Sequence, residues 1–222
     1  MRISFCALAA SLLLAAPFSI CVECRADDEN EVLLEATSPF EDMAEFALDK
    51  QDLGMAKSLA AADGQAAAVK KALPEAAAKQ FDAFLKTLHE SADKKNYHAV
   101  AMNAVETFRL LIDNLDADDL EVPKDVLLLD YAGFKLHVLG AATKPDWVAM
   151  SKTVDEAANW WKAVRSKVAD KALRDAFDST VKGLQKAAVI KDLPMLEFAA
   201  QMDLDLVDLI EGQFEGKEKA KE

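Results

Sequence analysis

The sequence predicts an all-α protein of about eight helices, arranged as two tandem duplicated four-helix units packed as bundles. Three observations carry that prediction. Gly and Pro are scarce, seven and six in 222 residues, which is too few for the turns that sheet proteins need. Apolar residues recur at spacings of three and four rather than two. The chain also matches itself when displaced by about 95 residues.

The first element is a leader rather than part of the fold. Arg2, the apolar run from Ile3 to Ala16 and the break at Pro17 give residues 1–26 the form of a secretory signal peptide. Cys24 and Ala26 stand at the positions a signal peptidase reads before a cut between Ala26 and Asp27. A retained anchor is the rival reading, because Ile3 to Val22 approaches the roughly 20 residues of a membrane span. Pro17, Cys21, Glu23 and the acidic run Asp27, Asp28 and Glu29 favour cleavage. The expected location is therefore exported, periplasmic or extracellular, with no stable membrane span after cleavage.

Cleavage also removes every cysteine, since Cys6, Cys21 and Cys24 all lie in the leader. The C-x-x-C spacing of Cys21 and Cys24 then carries no redox or metal chemistry. Losing Arg2, Arg25 and Glu23 leaves 24 basic and 38 acidic residues, a net charge of -14 against -13 for the whole chain. Such an acidic surplus excludes nucleic acid as a partner, because phosphate binding needs clustered Lys and Arg.

The helices follow in order. Five prolines, Pro39, Pro74, Pro123, Pro145 and Pro194, stand where helices begin or break. The spacing predicts helices over 39–50, 52–72, 75–94, 96–116, 123–143, 145–168, 170–191 and 193–214. Phe81, Phe84, Leu85 and Leu88 form the apolar face of the third, and Tyr97, Ala101, Ala104, Phe108, Leu111 and Leu115 that of the fourth. Trp147, Val154, Trp161 and Val168 stripe the sixth; Met195, Phe198, Met202, Leu206 and Leu209 stripe the eighth. The helix over 123–143 has almost no polar face, which places it at the centre of a joined body.

The internal match is collinear. A displacement of 94 sets Glu31-Val32-Leu33-Leu34 over Asp125-Val126-Leu127-Leu128 and Phe40 over Phe134. With two single insertions it continues through Met55 over Met150, Phe81 over Phe177, Leu88 over Leu184, Lys95 over Lys191 and Leu110 over Leu206. The expected organisation is a first repeat unit over 27–116, an Asp-rich junction over 117–124, a second unit over 125–214 and a charged tail over 215–222.

Six residues are candidates for chemistry. Asp130 and His137 interrupt the central helix, on one stripe with Gly133 and Gly140. The glycines admit a close neighbouring helix and the polar pair faces it. His137 could serve there as a metal or haem ligand, or as a buried histidine satisfied by a neighbour. His98, Met102 and Glu106 recur at intervals of four, a spacing that offers imidazole, thioether and carboxylate to a soft metal such as copper. Trp160, out of phase with Trp161 by roughly 100°, sits at the edge of the core, either as a partner-contact or ligand-stacking residue or, as is more common, packed against an adjoining helix. The acidic set Glu197, Asp203, Asp205, Asp208 and Glu211 reads as a solvated face of the last helix.

No C-x-x-C-H occurs, so c-type haem is excluded, while non-covalent haem or copper stays open. No H-E-x-x-H, G-x-S-x-G or phosphate-binding glycine loop is present. The function these features suggest is non-enzymatic: an exported bundle that binds a protein or small ligand through a groove between its halves. A metal- or haem-binding bundle using His137 is the second reading, and a carboxylate-based enzyme the third.

Overall fold

A computed structural model of the chain describes residues 23–218, with side chains for residues 29–214. Residues 1–22 of the expected leader, with Cys6 and Cys21, lie outside the described residues. Among those residues the chain is all-α, with no strand. Nine helices appear: α1 (Glu23–Glu35), α2 (Ser38–Leu48), α3 (Asp52–Ala72), α4 (Glu75–Asp93), α5 (Tyr97–Asp113), α6 (Lys124–Gly140), α7 (Trp147–Val164), α8 (Lys171–Ile190) and α9 (Leu193–Glu218). None is long and apolar enough to cross a membrane.

Eight of the nine lie where the apolar spacing puts them. Their ends have local causes. The side chains of Asn96, Asp146 and Asp170 accept hydrogen bonds from the first free N–H groups of α5, α7 and α8. Lys50, Lys95 and Lys191 take left-handed φ values of 57°, 51° and 56° just past α2, α4 and α8. At each, the following residue's N–H donates to the carbonyl five residues back, as from Asn96 to Ser91 and from Asp192 to Ala187. That closure favours glycine, and here lysine adopts it.

The ninth helix, α1, is the one the apolar spacing does not predict. Its charged start conceals a short buried end in which Leu33 is packed away from solvent, with Ala36 buried just beyond it. Asn30 anchors this helix across the molecule. Its amide donates to the Asp116 carbonyl at 2.9 Å while its carbonyl accepts from the Asp116 N–H at 2.8 Å. In the internal match, the end of α1 and all but the last two residues of α2 lie over the single helix α6. The chain breaks at Ala36–Thr37, immediately before Pro39, whereas α6 runs through the corresponding position as Gly133.

Two quartets result. In the first, α2 packs on α3 and α5, and α4 on α3 and α5; in the second, α6 packs on α7 and α9, and α8 on α7 and α9. Matched residues occupy matching depths: Met55 and Met150, Ser58 and Thr153, Phe81 and Phe177, and Leu88 and Leu184 are all buried.

The quartets join along α6, which also packs on α5 and α2. Leu128, Tyr131 and Val138 belong to the first quartet's core, while Val126, Leu129 and Ala132 face the second. At the junction, the Lys124 ammonium donates to the carbonyls of Asp113 and Leu115 at the end of α5, at 2.8 and 3.1 Å.

Close approach of α6 to α9 depends on glycine. A Cβ on Gly133 would fall 2.5 Å from Leu204 Cδ2 and 3.2 Å from Asp203 Oδ2, and one on Gly140 would fall 3.3 Å from Glu197 Oε1. Gly64 of α3 has nothing within 4 Å of such an atom. Thermal and urea unfolding of two variants should therefore move in opposite directions. Gly133→Val is expected to lose about 1–3 kcal/mol by overpacking, and Gly64→Ala to gain about 1 kcal/mol of helix propensity. Equal behaviour of the two would contradict this packing.

Candidate functional site

Two clefts flank α6, one on each side of the joint between the quartets. They differ in how their charges are balanced.

The first lies among α4, α5, α6 and α7 and encloses about 310 Å³. Arg109 of α5 sets its guanidinium carbon 4.8 Å from the Tyr131 ring centroid and 5.1 Å from that of Trp160. Those rings meet edge to face at 6.2 Å. The same guanidinium pairs with Asp113 at 2.9 Å and Glu156 at 3.9 Å. One helical turn away, Lys135 of α6 donates to Met102 Sδ at 3.1 Å and pairs with Glu106. Cations thus stand against the carboxylates throughout this cleft.

That arrangement places three of the predicted residues. Met102 and Glu106 do converge, but on the Lys135 ammonium, which comes from the other quartet. His98 is exposed, one turn before Met102. Trp160 is partly buried at the seam, stacked against a residue of the same chain.

The second cleft, of about 380 Å³, lies among α2, α6 and α9. Six carboxylates line it: Glu41, Asp42 and Glu45 from α2, Asp130 from α6, and Asp205 and Asp208 from α9. No Lys, Arg or His is among the lining residues. Burial pushes Glu41 up from 4.5 to about 7 against an opposing hydrogen bond with Thr37, and the charges of Asp42, Glu45 and Asp208 add to the rise. Burial and the charges of Glu41, Glu211, Asp203 and Asp208 hold Asp130 well above the ordinary carboxylate range. Glu45 is raised too, by burial first and then by the charges of Asp42, Asp49 and Asp208.

Asp130, Gly133, His137 and Gly140 do face a neighbouring helix, and that helix is α9. The solvated face expected of the α9 carboxylates holds for Asp205 and Asp208, which are exposed, and fails for Asp203. Asp203 is fully buried, neither of its oxygens has a hydrogen-bond partner, and burial raises its pKa well above 3.8. It lies in phase with the buried Ala199, Leu206, Val207 and Ile210, a signal that the sequence does contain. Its counterpart in the internal match is Thr107, whose hydroxyl donates to the Asn103 carbonyl at 2.7 Å.

His137 sits two turns beyond Asp130, outside the lining of the acidic cleft. Its Nε2 is buried without a partner, and burial lowers its pKa although Glu197 and Asp205 oppose the shift. Among the described residues no three His, Cys, Asp or Glu side chains converge as a metal-ion donor set. The carboxylates of the cleft are spread along its walls instead. Sequence reasoning missed Glu41, Glu45, Arg109 and Lys135 as site residues, because each acquires its role from a helix distant in the chain.

No family model, no curated protein and no solved structure matches this chain.

A carboxyl that titrates higher in the folded than in the unfolded chain keeps its proton on folding, so its contribution to stability falls as pH rises between the two values. For Glu41 that interval runs from 4.5 to about 7. Glu41→Gln should have little effect on Tm near pH 4.5 and should raise Tm progressively up to pH 7, relative to the natural chain at each pH. Asp203→Asn should likewise stabilise more at pH 8 than at pH 5. A difference in Tm that stays constant across pH would refute both shifts.

Proposed function

We propose that this chain is a non-enzymatic binding protein of the exported compartment, holding an organic cation in the acidic cleft between its quartets. The observation that carries the reading is the cleft's lack of compensation: six lining carboxylates and no basic side chain. Carboxylates crowded enough to raise one another's pKa gain most from a ligand that brings positive charge. Six carboxylates in one cleft suit a ligand with two or more ammonium or guanidinium groups, a polyamine or the Lys and Arg side chains of a partner. A volume of about 380 Å³ lies within the usual range of small-ligand sites. The leader-like residues 1–26 support export.

The two quartets also read as products of tandem duplication, joined over 117–124. Their shared neighbour order, the paired left-handed Lys95 and Lys191, and the matched buried residues support that origin. On this reading the second copy's share of the acidic lining arose in that copy, because Asp130, Asp205 and Asp208 stand where the first copy has Ala36, Arg109 and Ile112.

A second reading rests on His137, whose buried, partnerless Nε2 is an available ligand for non-covalent haem or copper. A Soret band, or a stoichiometric metal lost in His137→Ala, would select it over the first.

Titration calorimetry with spermidine at low salt tests the main proposal. Binding should strengthen from pH 6 to pH 8 as Glu41 loses its proton, and weaken with added salt. Asp130→Asn and Glu41→Gln should each reduce affinity by roughly tenfold, whereas Asp118→Asn, outside the cleft, should not. Absence of binding by spermidine, putrescine and oligolysine alike would overturn the proposal.

A further inference from the structure

Carboxylates are not all that lines the acidic cleft. Phe134 of α6, Leu204 of α9 and the Gln201 amide of α9 complete its lining. The two apolar side chains are held from behind. Phe134 meets Phe108 of α5 edge to face, with ring centroids 6.2 Å apart, and Leu204 fills the space beside Gly133 that any larger residue there would take. Both are only partly buried, so a strip of hydrocarbon stays open to the cleft.

Helix order arranges the charges around that strip. Helix α6 packs on both α2 and α9 and forms the floor between them. Glu41, Asp42 and Glu45 stand on the α2 wall, and Asp205 and Asp208 on the α9 wall. The walls are close enough for one small ligand to reach both, since the Asp208 charge acts on Glu41 and Glu45 across the cleft. On the floor, Asp130 is largely buried and receives no hydrogen bond among the described residues. Phe134 follows it by about one turn. Leu204 reaches the floor beside Phe134, because it packs on Gly133. A cation at either wall thus meets oxygen on one side and carbon on the other.

We propose that the cleft selects a free linear diamine or polyamine, its ammonium groups on the α2 and α9 walls and its methylenes across Phe134 and Leu204. This rests on the cation reading above, and adds to it one chemical class of ligand and two specificity-determining residues. A divalent metal ion needs oxygens converging on one point, and among the described residues no such set exists. It would also leave the apolar strip in water. A partner's lysine brings methylenes with an ammonium at one end only, and sets its peptide backbone against the opposite wall of carboxylates. An aliphatic diamine answers both walls and covers the strip, so burial of its carbon chain adds to the charge attraction.

A ligand series on the natural chain tests this without depending on any variant, by calorimetry at low salt and pH 7.5. From putrescine through cadaverine to 1,6-diaminohexane, affinity should rise roughly two- to fourfold per added methylene. Bis(2-aminoethyl) ether matches cadaverine in length and charge but has oxygen for the central methylene, and should bind roughly tenfold more weakly. Pentylamine, which keeps the carbon chain and loses one charge, should also fall by roughly tenfold or more. Phe134→Gln and Leu204→Gln should each abolish the preference for cadaverine over the ether while still binding spermidine through the carboxylates. Affinity that ignores chain length, an ether that binds as tightly as cadaverine, or acetyl-tetralysine amide binding more tightly than spermine would overturn this inference and leave the cation reading standing. Failure of spermidine, putrescine and oligolysine alike would remove both.

Discussion

Between Lys124 and Gly140 the chain must bury a helix with apolar residues around nearly its whole circumference. Only a second layer of helices can cover it, because one quartet encloses just one side. The first quartet supplies that layer through α5 and α2, and the second through α7 and α9. Helix α6 consequently contributes buried side chains to the cores on both sides of it. Gly133 and Gly140 complete the arrangement by bringing α9 close, at the expense of helix propensity.

Enclosing α6 fixes where its few polar residues go. Lys135 turns toward the first quartet and finds Glu106, while Tyr131 carries the Arg109 and Trp160 stack. Asp130 turns toward α9 and α2, into a lining that holds five more carboxylates and no basic side chain. The electrostatic difference between the two clefts is therefore a consequence of helical phase on α6. A charge balanced inside the fold does structural work, as Arg109 and Lys135 do. A charge left unbalanced and raised in pKa is one that a ligand of opposite sign can stabilise.

Most of the fold was legible in the sequence, for a local reason. Helices α2 to α9 have apolar stripes long enough to set phase, and Pro and Asp mark several of their starts. Helix α1 was hidden because the acidic run of Asp27, Asp28 and Glu29 resembles a solvated spacer, while the Asn30 clamp that orders it lies 86 residues away. The face of α6 that carries Asp130 and His137 was legible too, since the glycines share its phase. What covers that face was not. Glu41 and Glu45 join the cleft only when α2 and α9 meet across the seam, and periodicity within a helix contains no information about that. Met102 and Glu106 show the same limit: their spacing sets them on one face of α5, but the group that reaches both is a lysine from the other half. Asp203 is different, because its phase among Ala199, Leu206 and Ile210 marks it as a core residue.

The central claim is that folding itself drives carboxylates together at the α2–α6–α9 seam without a counter-charge. Side-chain carboxyl titration by carbon-detected NMR measures this directly. Glu41 is expected to titrate at about 7, and Asp130 well above the ordinary carboxylate range, with both midpoints falling when spermidine is added. Titration of both groups between 4 and 5, unmoved by spermidine, would contradict the account.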